Sequence, residues 1–287
     1  MEHRPPNSPL VDTHAHLTLP NFDDDRQQVV ARAVEHGVVA IVTVGIEPDD
    51  WAASLALAEQ FEQVHVALGI HPNSADQATE DALSDLEGRC RSWRAGNKGI
   101  VALGETGLDY YWRKVPHDRQ KEAFRAHLSL ARQLDLPVIV HNRDAHADVL
   151  DILRRDGAGT RGVMHSFSGD VNYAMECIAL GYAISLAGPV TFPNAADKHR
   201  IAMAVPLDRL LVETDCPFLT PVPYRGRRNE PAYVAYTVSA IAALRGVPYE
   251  QVAHATTANA SRLFDLHLHP NAQISAYHHI YQAGAEE

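Results

Sequence analysis

The chain has 287 residues, 46% of them hydrophobic and 21% charged, enough to build a substantial core without disulfides or a structural metal. Its 25 basic and 36 acidic side chains leave a formal charge of −11, which excludes a protein whose main task is coating DNA through a broad basic surface. The 17 histidines outnumber the 10 tyrosines and the 7 phenylalanines, so neutral nitrogen ligands are plentiful.

Three cysteines, Cys90, Cys177 and Cys216, form no C-x-x-C pair and give no sign of a zinc ribbon or a thioredoxin-type redox site. They fit buried, reduced thiols in a cytoplasmic protein. The first residues lack an apolar signal core, and no window approaches about 18 uninterrupted apolar residues, so no membrane association is expected. Residues 1–9 read as a flexible tail, residues 10–265 as one domain, and residues 266–287 as a C-terminal extension whose His267, His269, His278 and His279 read as solvated. A monomer or weak oligomer without a stable protein partner is expected.

In chain order, short apolar and β-rich runs occupy residues 10–17, 38–46, 64–70, 99–104, 137–141, 162–165, 182–187 and 210–215. Several are nearly continuous, as in Ile41-Val-Thr-Val and Val138-Ile-Val, which suits strands covered on both faces. Helical patterns fill the gaps. Trp51, Leu55 and Ala58 fall at i, i+4 and i+7, as do Phe124, Leu128 and Ala131. Asp144 is placed to cap a helix containing Val149, Ile152 and Leu153. Eight strands alternating with helices predict a single-domain α/β fold, a (β/α)8 TIM barrel. A doubly wound open sheet is the alternative, but no G-x-G-x-x-G follows the first strand.

The polar residues at the strand ends carry the chemistry. Val11-Asp-Thr-His-Ala-His16 places Asp12, His14 and His16 on one face of a strand with period two. The fourth strand ends at Glu105, the fifth at His141, the sixth at His165 and the eighth at Asp215. In barrel enzymes the carboxyl ends of the strands form the catalytic mouth, where His14, His16, Glu105, His141, His165 and Asp215 would converge. Burying so many ionisable groups without a metal or partners is costly. Imidazoles with carboxylates suit zinc, manganese, iron or nickel, whereas magnesium prefers all-oxygen surroundings, and cellular availability decides among them. Six ligands exceed the three protein ligands usual at one catalytic zinc, so two divalent ions are expected. A carboxylate can bridge such ions about 3.5–4 Å apart, and a shared hydroxide then becomes a nucleophile at neutral pH.

Segments 11–17, 68–72, 101–111, 137–145, 165–169, 213–221 and 225–231 together resemble the TatD family of metal-dependent deoxyribonucleases, within the amidohydrolase-like metal-dependent hydrolase superfamily. The resemblance runs from about residue 10 to residue 265. It implies one ion on His14, His16 and Asp215, a second on His141 and His165, and Glu105 bridging both. It also implies that Asp215 accepts a proton from the attacking water, and that DNA is the substrate, cleaved from single-stranded or frayed 3′ ends. Two departures stand out: Cys216 replaces the family's usual serine, and Asn142 its frequent threonine. Neither is a proposed ligand.

Substrate-facing candidates are His71, which ends the third strand, and Arg143, two residues beyond His141, where a guanidinium can clamp a phosphate. Tyr224, Arg225, Arg227 and Arg228 form the densest cationic cluster, with a tyrosine able to stack on a base. Tyr110, Tyr111 and Trp112, followed by Arg113 and Lys114, suit either a strand end or a lid on the barrel rim. The alternative activity on the same metals is ester or amide hydrolysis, such as D-aminoacyl-tRNA deacylation. A non-catalytic metal-binding scaffold is disfavoured by the retention of every proposed ligand.

Overall fold

Short apolar runs separated by amphipathic ones leave few ways to bury both faces of a parallel sheet, and the chain takes the closed one. The computed structural model describes residues 8–94 and 99–268. Residues 1–7 of the predicted N-terminal tail and residues 269–287 of the extension, with His269, His278 and His279, lie outside the described residues.

Eight strands, β1 (Leu10–Ala15), β2 (Val38–Gly45), β3 (Val64–Leu68), β4 (Ile100–Asp109), β5 (Val138–Arg143), β6 (Gly162–Met164), β7 (Tyr182–Leu186) and β8 (Leu210–Val212), pair in sequence order. Each pairing is parallel. Helices α1 (Arg26–Glu35), α2 (Pro48–Gln60), α3 (Glu80–Arg94), α4 (His117–Leu134), α5 (His146–Asp156), α6 (Val171–Ala179) and α7 (Ala196–Ala204) provide the crossovers, and α8 (Val234–Arg245) and α9 (Tyr249–Phe264) follow β8. The chain is a (β/α)8 barrel. It closes through backbone hydrogen bonds between the end of β1 and the segment after β8: Asp215 N donates to His14 O and His16 N to Cys216 O, both at 2.9 Å.

Two apolar layers hold the barrel. The outer one lies between strands and helices and takes in the predicted stripes: Trp51, Leu55 and Ala58 of α2, Phe124, Leu128 and Ala131 of α4, and Val149, Ile152 and Leu153 of α5 are all buried. Trp51 is fully buried, and its indole N–H donates to Gly69 O at 3.0 Å, so its polar atom is satisfied. Each such large side chain contributes about 1.5–3 kcal/mol relative to exposure. The second layer joins Val11, Val42, Ala102, Ile139, Val163 and Leu211 from six strands to Phe264 and Leu266 beyond them. Leu266, assigned from sequence to the extension, is therefore buried against the barrel.

The strand boundaries shift from those read in the sequence. β4 does not stop at Glu105 but runs to Asp109, and β5 runs past His141 to Arg143. β6 and β8 end before His165 and Asp215, which stand just beyond them. Asp144 does not cap α5: it adopts a left-handed conformation (φ 58°), and the capping position falls to Ala145, with no side-chain bond.

Two bulges aim the polar residues. Between β1 and β2, Asp12 faces Ile41 and Ala15 faces Thr43, so three steps on β1 match two on β2. Between β4 and β5, Leu103 faces Val138 and Thr106 faces Val140, with the same mismatch. An extra residue resets the alternation and turns a side chain to a new face. Gly104 permits the second bulge: its φ is +137°, and a Cβ there would lie 2.6 Å from Ile139 O.

Candidate metal centre

At and just after the β1 bulge, His14 and His16 bring their Nε2 atoms within 3.2 Å of each other. Asp12 does not join them. Its Oδ1 accepts Thr214 N at 2.8 Å and its Oδ2 accepts the Thr214 hydroxyl at 2.5 Å, tying β1 to the segment that leads to Asp215. Complete burial outweighs these bonds and pushes the Asp12 carboxyl up to about 8. Barrel closure sets Asp215 beside the pair, its Oδ1 3.3 Å from His16 Nε2 and 3.8 Å from His14 Nε2.

Glu105, delivered by the β4 bulge, lies between two groups of histidines. Its Oε2 is 3.3 Å from His14 Nε2 and 4.0 Å from His16 Nε2. Its Oε1 is 2.5 Å from His141 Nδ1, 3.4 Å from His165 Nε2 and 3.5 Å from His71 Nε2. Four of the other predicted ligands therefore face this one carboxylate, and Asp215 lies beside two of them, His14 and His16. Among the described residues, the sets able to hold a cation include His14 with His16 and Glu105, His14 with His165 and Asp215, and Glu105 with His141 and His165.

The residues fit divalent ions on chemical grounds. Nε2 of His14 and Nε2 of His16 point at each other at 3.2 Å within a buried site, a spacing suited to two nitrogens sharing an ion at about 2.0–2.1 Å each. Burial pulls His14 and His71 down, which favours neutral imidazole. Burial acts the same way on His16 and His141, but hydrogen bonds to Asp215, and to Asp109 and Glu105, outweigh it and raise both. His165 also resists burial and rises to about 10 through the charges of Glu213 and Glu105. Glu105 is driven up by burial yet held well below the usual carboxylate range by the facing imidazoles. Ionised carboxylates are thus offset here by positive charge, which divalent cations supply at the same atoms.

Two carboxylates behind the histidines were not singled out in the sequence. Asp109 Oδ2 accepts from His141 Nε2 at 3.2 Å. Glu213 Oε1 lies 2.9 Å from His165 Nδ1 and accepts Ser166 N at 2.6 Å. The sequence reading ends the fourth strand at Glu105 and so leaves out the second half of β4. With β4 extended, Asp109 falls four residues after Glu105, a separation that keeps side chains on one face of a strand. Glu213 carries a weaker signal, two residues before Asp215.

The substrate-facing candidates separate into two groups. His71 faces Glu105, and its Nδ1 accepts Asn73 N at 3.0 Å, so the neutral ring carries its proton on Nε2, toward the centre. The Arg143 guanidinium lies over the exposed Tyr111 ring, 4.1 Å from its centroid. Tyr111 and Trp112 form an exposed lip, and Phe218 is likewise exposed, with its ring 6.1 Å from His16. Tyr110 turns away, donating to Asp148 at 2.5 Å and stacking on His117. Arg113 and Lys114 are exposed.

In the second group, Arg225 and Arg227 are exposed, over the rings of Phe192 and Tyr224 respectively. Tyr224 stacks on Tyr233 at 4.5 Å, with one face thereby covered. Arg228 makes a bidentate pair with Asp25, two bonds of 2.7 Å, and donates to Asn21 O. It belongs to the packing of this loop on α1. The two family departures point away from the centre: Asn142 donates to the Tyr173 hydroxyl at 2.6 Å, and Cys216 is fully buried, its thiol raised by that burial.

The model of the family described as TatD related DNase matches residues 11–265. The chain belongs to the TatD family. Within the metal-dependent hydrolase superfamily it is 43% identical over 256 residues to the metal-dependent hydrolase YabD of Bacillus subtilis, covering 89% of this chain and 98% of that one. It is 39% identical over 265 residues to the metal-dependent hydrolase TatD of Mycobacterium tuberculosis, covering 90% and 98%. The crystal structure of YjjV, a TatD homologue from Escherichia coli, superposes with a TM-score of 0.83 at 32% identity over 90% of this chain and 98% of that one. This TatD-family chain therefore places six metal-competent side chains at the mouth of the family's barrel. No helix among the described residues is long and apolar enough to cross a membrane.

Proposed function

We propose that the chain is a two-metal phosphodiesterase that hydrolyses DNA, acting on single-stranded or frayed 3′ ends. The observation that supports it most directly is the division of Glu105: one oxygen faces His14 and His16, the other His141 and His165. His14, His16 and Asp215 would hold one ion, His141 and His165 the other, with Glu105 shared. Zinc, manganese, iron, nickel or magnesium, when bound, would polarise the phosphoryl group and supply a nucleophile at neutral pH.

The chain's own residues do the rest. Asp215 is held below the usual carboxylate range by the His16 hydrogen bond and the neighbouring imidazoles, against its burial, so it stays ionised and accepts a proton from the attacking water. His71 donates its Nε2–H to a phosphoryl oxygen. Arg143 and Tyr111 engage the phosphate and base of the terminal nucleotide, and Arg225 and Arg227 add weak, screened attraction along the strand. An overall charge of −11 is compatible with this, because attraction needs to act only at the mouth.

The test is to assay the metal-reconstituted chain on 3′- and 5′-end-labelled single- and double-stranded DNA. Stepwise release of mononucleotides from single-stranded 3′ ends is expected. Intact DNA together with a freed amino acid from D-aminoacyl-tRNA would overturn the phosphodiesterase reading and favour the ester-hydrolase alternative.

A further inference from the structure

We propose that Asp109 is a positioning residue that decides which nitrogen of His141 faces the centre, and that it ties this choice to the Tyr111–Trp112 lip. The inference rests on the metal reading above but not on the substrate.

His141 lies between two carboxylates, with Nδ1 2.5 Å from Glu105 Oε1 and Nε2 3.2 Å from Asp109 Oδ2. A neutral imidazole has one N–H, and its ligating nitrogen must be bare. Asp109 is 1% exposed, and the backbone N–H groups of Tyr111 and Trp112 already donate to its Oδ1, so it meets His141 as an acceptor. The N–H is therefore on Nε2, and the lone pair of Nδ1 is left to the centre.

The remaining lone pairs of Asp109 are also engaged. Oδ1 accepts the backbone N–H groups of Tyr111 at 2.9 Å and Trp112 at 3.0 Å, and Oδ2 accepts Asn73 Nδ2 at 3.4 Å. A carboxylate with four donors is not free to ligate an ion. His71, whose bare nitrogen is taken by Asn73 N, is not free either. The grouping of His71, Asp109 and His141 is thus a hydrogen-bonded support and not a third cation site, although its ligand atoms lie within 4.8 Å of one another. One oxygen of Asp109 orients a ligand and the other shapes the lip. Because Arg143, two residues after His141, also rests on Tyr111, the lip and this half of the centre share both of their supports.

Asp109→Asn separates the two tasks. Its amide oxygen can still accept from Tyr111 and Trp112, but its NH2 group faces His141 Nε2. That nitrogen becomes the acceptor, and Nδ1–H then points at the centre, where it cannot ligate. Zinc(II) titrated into the metal-stripped full chain is expected to show two ions in the wild type. In Asp109→Asn, one step is retained and the other weakens by about 10–100-fold. Selective loss of one step is the signature, since general damage to the fold would weaken both.

A second measurement needs no variant. In the zinc-loaded wild type, nitrogen-15 spectra of the His141 ring, assigned by its absence in His141→Gln, should show a protonated Nε2. Equal zinc affinity in a folded Asp109→Asn, or a ring protonated on Nδ1, would overturn the inference. Uptake of fewer than two ions by the wild type would overturn the two-ion reading, and the inference with it.

Discussion

The loops that follow β4 and β8 carry the same kinds of side chain, aromatics beside arginines, yet they are anchored in opposite directions. The β4 loop is anchored inward. Asp109 holds the backbone N–H groups of Tyr111 and Trp112 and also holds His141. Helix α4 braces it from behind: Gln120 accepts Asp109 N and donates to Asp109 O and Val115 O. His127, two turns further along the same face of α4, accepts Ile70 N and so fixes the residue before His71. The β8 loop is anchored outward, through Arg228 to Asp25 and through Glu230 to Arg32, both partners belonging to α1 or its approach. A perturbation of the first loop should therefore reach the chemistry. One in the second should reach stability or substrate attraction.

The largest effect is expected where the inward network ends. Glu105→Ala removes the carboxylate that, among the described residues, faces both His14 with His16 and His141 with His165. Loss of tight binding for both ions is expected, with turnover on DNA falling by about a thousandfold or more, at least the scale seen when a single transition-state stabiliser is removed. Metal content after dialysis and initial rates on end-labelled DNA check this. Retained metal with unchanged turnover would show that Glu105 is not shared.

The brace from α4 should show itself in the pH dependence of stability. His127 is fully buried, and burial pulls it down to about 4 from an ordinary 6.5. Between these values the unfolded chain takes up a proton that the folded chain refuses. The stability this group allows is complete above about pH 6.5, falls as pH drops toward 4, and is lost below it. Two and a half units correspond to about 3 kcal/mol. His127→Gln keeps a donor and an acceptor but does not titrate, so its urea stability should fall less between about pH 6.5 and pH 4.5 than that of the wild type. Both proteins should be metal-stripped, because Asp12 and the ligands titrate too and cancel only in the difference. Parallel pH profiles would mean that His127 is not a sealed brace.

How legible this was in the sequence follows the same contrast. The barrel was legible because continuous apolar strands and amphipathic helices have different periods, and the stripes Trp51–Leu55–Ala58 and Phe124–Leu128–Ala131 are buried as their spacing requires. His14, His16, His141 and Glu105 were visible because a charged or imidazole side chain at the end of an apolar run is costly without a function. Asp12 shared that look, and only the β1 bulge, a pairing feature with no local sequence marker, removes it from the centre. Asp109 was missed because the fourth strand was read to end at Glu105, whereas β4 continues past Gly107, a close approach where a Cβ would lie 2.1 Å from His141 O. The arginines after β8 could not be ranked from sequence, because the partner of Arg228, Asp25, is 203 residues away.

That ranking gives the smallest and most discriminating effect. The Arg228–Asp25 pair is partly exposed, about 30% on each side, so Arg228→Ala should cost about 1 kcal/mol despite its bidentate geometry. A fall in Tm of about 2–4 °C is expected, with no change in how single-stranded DNA affinity depends on salt. Arg225 and Arg227 have exposed guanidiniums resting over Phe192 and Tyr224. Replacing both by alanine should leave Tm unchanged within about 1 °C, a surface change away from any network. It should flatten the salt slope by about 1.4, since each phosphate contact on a single strand contributes about 0.7. If Arg228→Ala flattened the slope instead, the β8 loop would be a DNA surface along its whole length, and its anchoring on α1 would be the means of presenting that surface to the mouth.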